Sequence, residues 1–256
     1  MDHVLPGNFS RSASTYAAAA EFQRFAAGRL YAFVEREVPN RQRSARVLEL
    51  GCGTGFLTIG LLQLFPNARF VISDISDEML HRCREQTRES MAERFDSYFE
   101  RYDIAEARIE KQYDLILSAL AFQWVPNLDA VMANIREHLR PDGRLVFSTL
   151  LAGTYSSLHR AFRTVGASYP GPRLMTEDEL LKTCAVFPHL ERECLDYTEA
   201  YPDIRQFLKR IQLTGTGNGG GTPVPVGTLR RVMALADADP AAEYLADYRI
   251  ANVCCW

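Results

Sequence analysis

No stretch of this 256-residue chain approaches the roughly 18 consecutive apolar positions a membrane-crossing helix needs. Met1 to Arg11 has no apolar core of a secretory leader. An excess of one charge sign is missing too. Twenty-nine basic against 32 acidic residues leave a formal net charge of −3, which offers no broad basic field to nucleic acid. The six cysteines show no C-x-x-C spacing and Cys254 and Cys255 are adjacent, so the pattern supports no zinc site. They read as reduced thiols of a cytoplasmic protein without a metal. No internal repeat or block of like charge appears. The apolar content of 47% is that of a globular protein with a full core, and the length fits one large α/β domain or two small ones.

The chain is organised around Val47 to Leu57, V-L-E-L-G-C-G-T-G-F-L. The apolar run Val47 to Leu50 reads as a buried parallel strand. Gly51, Gly53 and Gly55 follow at alternate positions, and Phe56, Leu57, Ile59, Leu61 and Leu62 open a helix. Strand, glycine turn and helix let a ligand lie against bare backbone. A dinucleotide fingerprint needs glycine at the sixth position of the motif, where this stretch has Phe56, and a P-loop needs a Gly-Lys-Ser/Thr that is absent. Glu49 stands two residues before the first glycine. It would repel a pyrophosphate there and favour a ligand with a positive group. Cys52, inside the turn, reads as a small packable side chain and not a nucleophile.

Residues 13 to 38 have helical periodicity, stopped by Pro39. They precede the first strand and so must lie over the fold. Tyr16 closes the polar stretch F-S-R-S-A-S-T-Y, and on the residues alone it either touches the ligand or anchors the helix. A second strand, Arg69 to Ser73, ends at Asp74, 23 residues after Gly51, where a carboxylate can accept from both ribose hydroxyls of a nucleoside. The competing role is a cap for the helix over 77–93. A weak third strand, Ser97 to Tyr102, precedes Asp103 and Ile104. An acid there can bond an adenine amine while Ile104 covers a ring face; the alternative is again an N-cap. Strand four, Tyr113 to Ser118, runs into A-L-A-F-Q-W-V-P-N. Ser118, Ala119 and Gln123 read as floor and wall of a pocket, and Trp124 as structural. A helix from Leu128 to Leu139 ends in the turn signal Arg140 to Gly143, and strand five runs from Arg144 to Leu150. Strand–helix alternation to this point predicts a parallel sheet with right-handed crossovers. Further on, Thr176 to Leu181 resembles a capping box, Leu190 to Ala200 a sixth strand, Asp203 to Leu213 a helix, Thr214 to Pro225 a glycine-rich loop and Tyr244 to Cys254 a last strand.

The segments V-L-E-L-G-C-G-T-G, D-I-S-D-E-M-L, Y-D-L-I-L-S, F-Q-W-V-P-N and R-P-D-G-R-L-V-F-S-T-L resemble class I methyltransferases that use S-adenosylmethionine (SAM). F-S-R-S-A-S-T-Y, F-S-T-L-L-A-G-T-Y and L-T-G-T-G-N narrow the resemblance to the malonyl-acyl-carrier-protein O-methyltransferase family of biotin synthesis. Departures occur in the late loop, where Thr214 replaces an expected lysine and Gly219 to Gly221 add glycines. The resemblance implies an α/β, Rossmann-like class I methyltransferase fold: a mostly parallel seven-stranded sheet, helices on both faces and a helical lid. It implies one domain over 1–256, with an N-terminal lid of about 1–38 and lid segments of about 151–188 and 201–240.

The implied reaction moves a methyl from SAM to the free carboxylate of malonyl on acyl carrier protein, leaving S-adenosylhomocysteine. No metal, nucleic acid or membrane takes part. The implied SAM-binding set is Glu49 with Gly51, Cys52 and Gly53 of the turn; Asp74, Ile75 and Met79; Asp103 and Ile104; and Ser118, Ala119 and Gln123. Tyr16 would position the reactants and Glu49 orient them electrostatically. A carboxylate with a pKa of about 4 is already ionised at neutral pH, so no general base is needed. Arg160, Arg163 and Arg173 are candidate clamps for the acceptor carboxylate. Arg205, Lys209, Arg210, Arg230 and Arg231 are candidates to dock an acidic carrier. Two readings compete: methylation of a small free acid of the aconitate type, which shares Q-W-V-P, and a SAM-binding module without turnover.

Overall fold

The computed structural model describes residues 20–39, 44–90, 96–106, 109–214, 224–236 and 243–256. Helix α1 (Glu21–Glu37) comes first and is followed by β1 (Arg46–Leu50), α2 (Phe56–Leu64), β2 (Arg69–Asp74), α3 (Asp77–Ser90), β3 (Asp96–Arg101) and β4 (Tyr113–Ala119). A single 3₁₀ turn, Phe122–Trp124, leads to α4 (Leu128–His138), β5 (Leu139–Leu150), α5 (Ser156–Thr164), α6 (Glu177–Cys184), β6 (Leu190–Tyr201), α7 (Ile204–Leu213), α8 (Val226–Ala236) and β7 (Tyr244–Cys255).

The seven strands form one sheet in the order β3-β2-β1-β4-β5-β7-β6. The neighbours from β3 to β5 are parallel, and β7 runs antiparallel to both β5 and β6. Successive residues of a strand face opposite sides, so the apolar run of β1 serves two cores. Val47 packs with Leu61, Phe70 and Val146 on one side, and Leu48 and Leu50 pack with Ile116, Phe147 and Leu180 on the other. This is the fold class the sequence resemblance implies.

The apolar face of α1 is buried at Phe22, Ala26, Leu30, Phe33 and Val34. Leu30, Phe33 and Val34 belong to the core on one side of the sheet, while Phe22 and Ala26 join a third cluster with Phe162, Phe207 and Tyr248. Residues 20–38 of the segment expected as a lid are therefore a packed helix. Residues 1–19, Tyr16 among them, lie outside the described residues.

Two local expectations differ. Arg140 to Gly143 was expected as a turn before strand five, yet it lies within β5. There the ladder slips: Tyr113 pairs with Leu139, Leu115 pairs with Arg144, and Asp142 takes φ +63°. The turn chemistry is spent on a bulge, held by Arg140 against Asp114 at 2.9 Å. Helix α8 follows the glycine-rich stretch, where the sequence reading had named no element, and buries only Val232 fully. The strand expected at Leu190 to Ala200 and the capping box at Thr176 are both present. Thr176 Oγ1 accepts from the Glu179 N–H, and the Glu179 carboxylate accepts from the Thr176 N–H.

Candidate functional site

The strand order reverses between β1 and β4, and the carboxyl ends of the strands on either side open there, the place where doubly wound sheets bind ligands. The glycine turn at the end of β1 is pinned to β2. The N–H groups of Gly51 and Cys52 both donate to the Ser73 carbonyl at 2.9 Å, and the Ser73 hydroxyl donates to the Glu49 carbonyl at 2.8 Å. Gly51 has φ +73°, and a Cβ on it would meet the Ala121 Cβ at 2.7 Å. Gly55 (φ +98°) caps α2, and a Cβ there would press on the Cys83 sulfur at 3.0 Å. Around Gly53 the Cβ direction meets nothing within 4 Å, so bare backbone borders open space.

Asp74 braces this turn. Its Oδ2 accepts from the Gly53 N–H and its Oδ1 from the Ser76 N–H, both at 2.9 Å. The helix cap falls instead to Ser76, whose hydroxyl accepts from the Met79 N–H. A carboxylate offers about four acceptor positions, so Asp74 keeps at least one for a further donor. One turn on, Asp103 Oδ1 accepts from the Ala105 N–H at 2.9 Å. The end of β4 is similarly tied, because the Ser118 hydroxyl donates to the Leu50 carbonyl at 2.9 Å. Leu120 then takes φ +52°, unusual for a non-glycine residue, with its N–H bonded to Ser148.

These ends surround an open cavity of about 1290 Å³. That volume includes space open to solvent, so the site is a cleft and not an enclosed cavity. At one end lie Gly51, Gly53, Asp74, Asp103 and Ile104. Ile75 and Met79 line the same cavity, as do Ala119 and Gln123. Three other residues of the expected binding set sit just behind the lining. Glu49 is 1% exposed, Cys52 is buried, and Ser118 is fully enclosed with its hydroxyl committed to Leu50. Trp124, read as structural, also borders the cavity.

The electrostatics are acidic and costly. Burial pushes the Glu49 carboxyl up to about 7, against a hydrogen bond from Thr58 that pulls it down, and the nearby Asp74 charge adds to the rise. Glu49 Oε2 has no hydrogen-bond partner. Burial likewise raises Asp74 to about 6, opposed by the N–H groups of Ser76 and Gly53. The Cys52 thiol is pushed well above its ordinary value by burial, then by Cys83, which keeps it protonated and inert. Two buried carboxyls and an orphaned oxygen beside open glycine backbone fit a cationic nucleoside. Among the described residues no cluster of three or more His, Cys, Asp or Glu has the spacing for a metal ion.

The other end of the cavity is aromatic, and none of the residues that line it is among the expected site residues. Phe22 and Gln23 arrive from α1, Tyr155 and His159 from α5, and Tyr169 and Leu174 from the loop before α6. The one available signal was Y-x-x-x-H at helical i,i+4 spacing in Tyr155 to His159. The three candidate arginine clamps do not border the cavity. Arg160 and Arg163 are exposed, with Arg160 reaching Ser157, and Arg173 is paired with Glu179. In the expected docking set, Arg210 is tied to Glu199 at 3.1 Å and Glu21 at 3.2 Å, and Arg231 bonds the Val165 carbonyl.

A family model described as "Methyltransferase domain" matches residues 48–145. A malonyl-[acyl-carrier protein] O-methyltransferase of Bacillus cereus is 32% identical over 225 residues, 84% of this chain and 81% of that protein. One from Acetivibrio thermocellus is 32% identical over 231 residues, 84% of this chain and 78% of that protein. The chain belongs to the malonyl-[acyl-carrier protein] O-methyltransferase family. Solved structures share the fold at lower identity. A methyltransferase of Bacillus halodurans superposes with a TM-score of 0.65 at 13% identity, covering 88% of this chain and 96% of that one. The magnesium protoporphyrin IX methyltransferase of Synechocystis, solved with S-adenosylhomocysteine bound, gives 0.53 at 15% identity over 90% of this chain and 82% of that one. As a member of this O-methyltransferase family the chain is a SAM-dependent methyltransferase, and the acidic, glycine-floored end of its cavity has the chemistry that such a donor requires. Among the described residues no helix is long and apolar enough to cross a membrane.

Proposed function

We propose that the chain methylates the free carboxylate of a malonyl group carried on acyl carrier protein, giving the methyl ester that primes pimelate synthesis for biotin in the cytoplasm. The observation that carries this reading is membership of a family whose named relatives match 84% of the chain, joined to an open cleft lined by both the glycine turn and the aromatic residues of α1 and α5. The donor supplies an electrophilic methyl on a sulfonium and leaves as S-adenosylhomocysteine.

The protein's residues bind, orient and exclude water. In this reading Asp74 accepts from the ribose hydroxyls, with Ile75 and Met79 alongside. Asp103 accepts from the adenine amine, and Ile104 covers the ring. The backbone of Gly51, Cys52 and Gly53 carries the methionine portion, with Ala119 and Gln123 as its walls and Ser118 fixing the end of β4 behind them. Glu49 acts through its field from behind the turn. Tyr16, outside the described residues, positions the acceptor. The acceptor oxygen is already ionised, so the rate comes from in-line positioning and from excluding water around two opposite charges that neutralise each other. Orientation of that kind is worth roughly 7–11 kcal/mol. Arg205 and Lys209 on α7 and Arg230 on α8 are exposed and would meet an acidic carrier.

A methyl-transfer assay with radiolabelled SAM tests the reading, offering malonyl-acyl carrier protein, malonyl-CoA and free tricarboxylic acids in parallel. Base-labile label on the carrier-bound malonyl group is expected. Label on a free tricarboxylic acid, with none on malonyl carrier protein, would overturn it.

A further inference from the structure

The acceptor carboxylate needs hydrogen-bond donors at the aromatic end of the cavity, because an unpaired ion in apolar surroundings is prohibitively costly. No lysine or arginine among the described residues borders that end. The polar groups there are the His159 imidazole, the Tyr155 and Tyr169 hydroxyls and the Gln23 amide. Two of these are built as a unit. Tyr155 is the N-cap residue of α5 and His159 lies four residues on, with the His159 N–H bonded to the Tyr155 carbonyl at 2.9 Å, so their side chains share a helix face.

Tyr155 is held there against its own preference. Its backbone takes φ +55°, a strained left-handed conformation rare for a bulky residue. The strain is imposed from β7: the Tyr155 N–H donates to the Asp247 carbonyl at 2.7 Å, and the Ser156 N–H donates to the Asp247 carboxylate at 3.1 Å. Phe207 and Tyr248 each box the ring edge-on at 5.0 Å. His159 stands edge-on to Tyr169 at 4.9 Å. Rotamers fixed by packing are what a binding group needs.

We propose that His159 and the Tyr155 hydroxyl form the clamp that holds the acceptor carboxylate in line with the methyl donor. This rests on the carboxyl-methylation reading above. The groups that set the imidazole's charge are Arg163 on its own helix, Asp247 on β7 and Tyr169 on the facing loop. Burial and the Arg163 charge push its pKa down, and Asp247 pulls the other way. The ring is therefore neutral at pH 7 in the free protein and offers one N–H. A neutral clamp suits the chemistry. A carboxylate oxygen forms a bond to the methyl carbon as the carbon–sulfur bond breaks, leaving a neutral ester and a neutral thioether. A full cation on the carboxylate would stabilise the ground state more than the transition state, in which that negative charge is already fading.

The test compares wild type, His159→Ala, His159→Gln and Tyr155→Phe in steady-state assays with malonyl carrier protein, and measures SAM affinity of each by calorimetry. His159→Ala is expected to raise KM for the malonyl substrate about 10- to 100-fold, the loss of a hydrogen bond to a charged group. SAM affinity should stay within about two-fold, since that end of the cavity lies away from the glycine turn. His159→Gln, which keeps an N–H donor, should recover most of the loss. Free malonate should inhibit His159→Ala more weakly than wild type, while S-adenosylhomocysteine inhibits both equally. An unchanged KM in His159→Ala, or SAM affinity falling in step with KM, overturns the clamp. Wild type labelling a free acid instead of malonyl carrier protein overturns the acceptor reading, and the same variants on that acid then decide the clamp. A wild type that methylates no carboxylate overturns both.

Discussion

Glu49 carries the sharpest consequence at the scale of single residues. Its carboxyl is raised from 4.5 to about 7 and that of Asp74 from 3.8 to about 6, each mainly by burial. The folded chain therefore keeps protons that the unfolded chain releases near pH 4. The unfolded state binds fewer protons between about pH 4 and 7, so these two groups make stability fall as pH rises through that window. Above pH 7 the Glu49 shift corresponds to about 3 kcal/mol of cost. Glu49→Gln should thus raise the denaturation midpoint of the ligand-free protein at pH 8 and leave it nearly unchanged at pH 4. A positive donor in the cavity stabilises both carboxylates, so SAM binding at pH 6.5 should release up to roughly one proton, read by calorimetry in buffers of differing ionisation heat. Glu49→Gln should lose its share of that release and bind SAM more weakly. Proton release identical to wild type would show that Glu49 does not sense the donor.

At the scale of elements, α6 shows how local chemistry sets a wall of the cavity. Leu174 borders the cavity two residues before the Thr176 cap, and the Leu151–Met175 bridge ties this segment to the end of β5. Thr176→Ala removes one half of a capping box and should cost about 1 kcal/mol, or roughly 2–4 °C of melting temperature in a chain of this size. KM for the acceptor should rise with less effect on SAM affinity, because the glycine turn is anchored separately through Ser73 and Asp74. The capping box is legible because Thr176 and Glu179 are three residues apart. The bulge at Arg140 to Gly143 is not, since its turn residues read the same whether they end a strand or bend one, and only the pairing of Tyr113 with Leu139 separates the two. Helix α8 has apolar residues at helical spacing, Leu229, Val232, Met233 and Ala236, but buries only Val232 fully.

For the whole molecule, a net charge of −3 means that any attraction to an acidic carrier is local. Arg210 and Arg231 are each engaged by other groups of the chain, whereas Arg205 and Lys209 of α7 and Arg230 of α8 are exposed. The double reversal Arg205→Glu with Lys209→Glu should raise KM for carrier-bound malonyl several-fold and flatten its dependence on salt, while KM for malonyl-CoA and the affinity for SAM hold. An unchanged KM for the carrier-bound substrate would move the docking face elsewhere.

Local spacing was enough to read which residues line the glycine-turn end of the cleft. The glycines of the first turn, Asp74 at the end of β2 and Asp103 after β3 lie within about fifty residues of chain, and the first two follow strands whose apolar runs identify them. The backbone constraints that matter there, a positive φ at Gly51 and an acid at a strand end, are properties of neighbouring residues. The aromatic end was decided by tertiary structure. Phe22, Tyr155, His159 and Tyr169 come from α1, α5 and the loop beyond it, and what joins them is β7 running antiparallel between β5 and β6 and dictating the backbone of Tyr155 through Asp247. Strand order is a long-range choice made by packing both faces of a sheet at once, and no spacing along the chain encodes it.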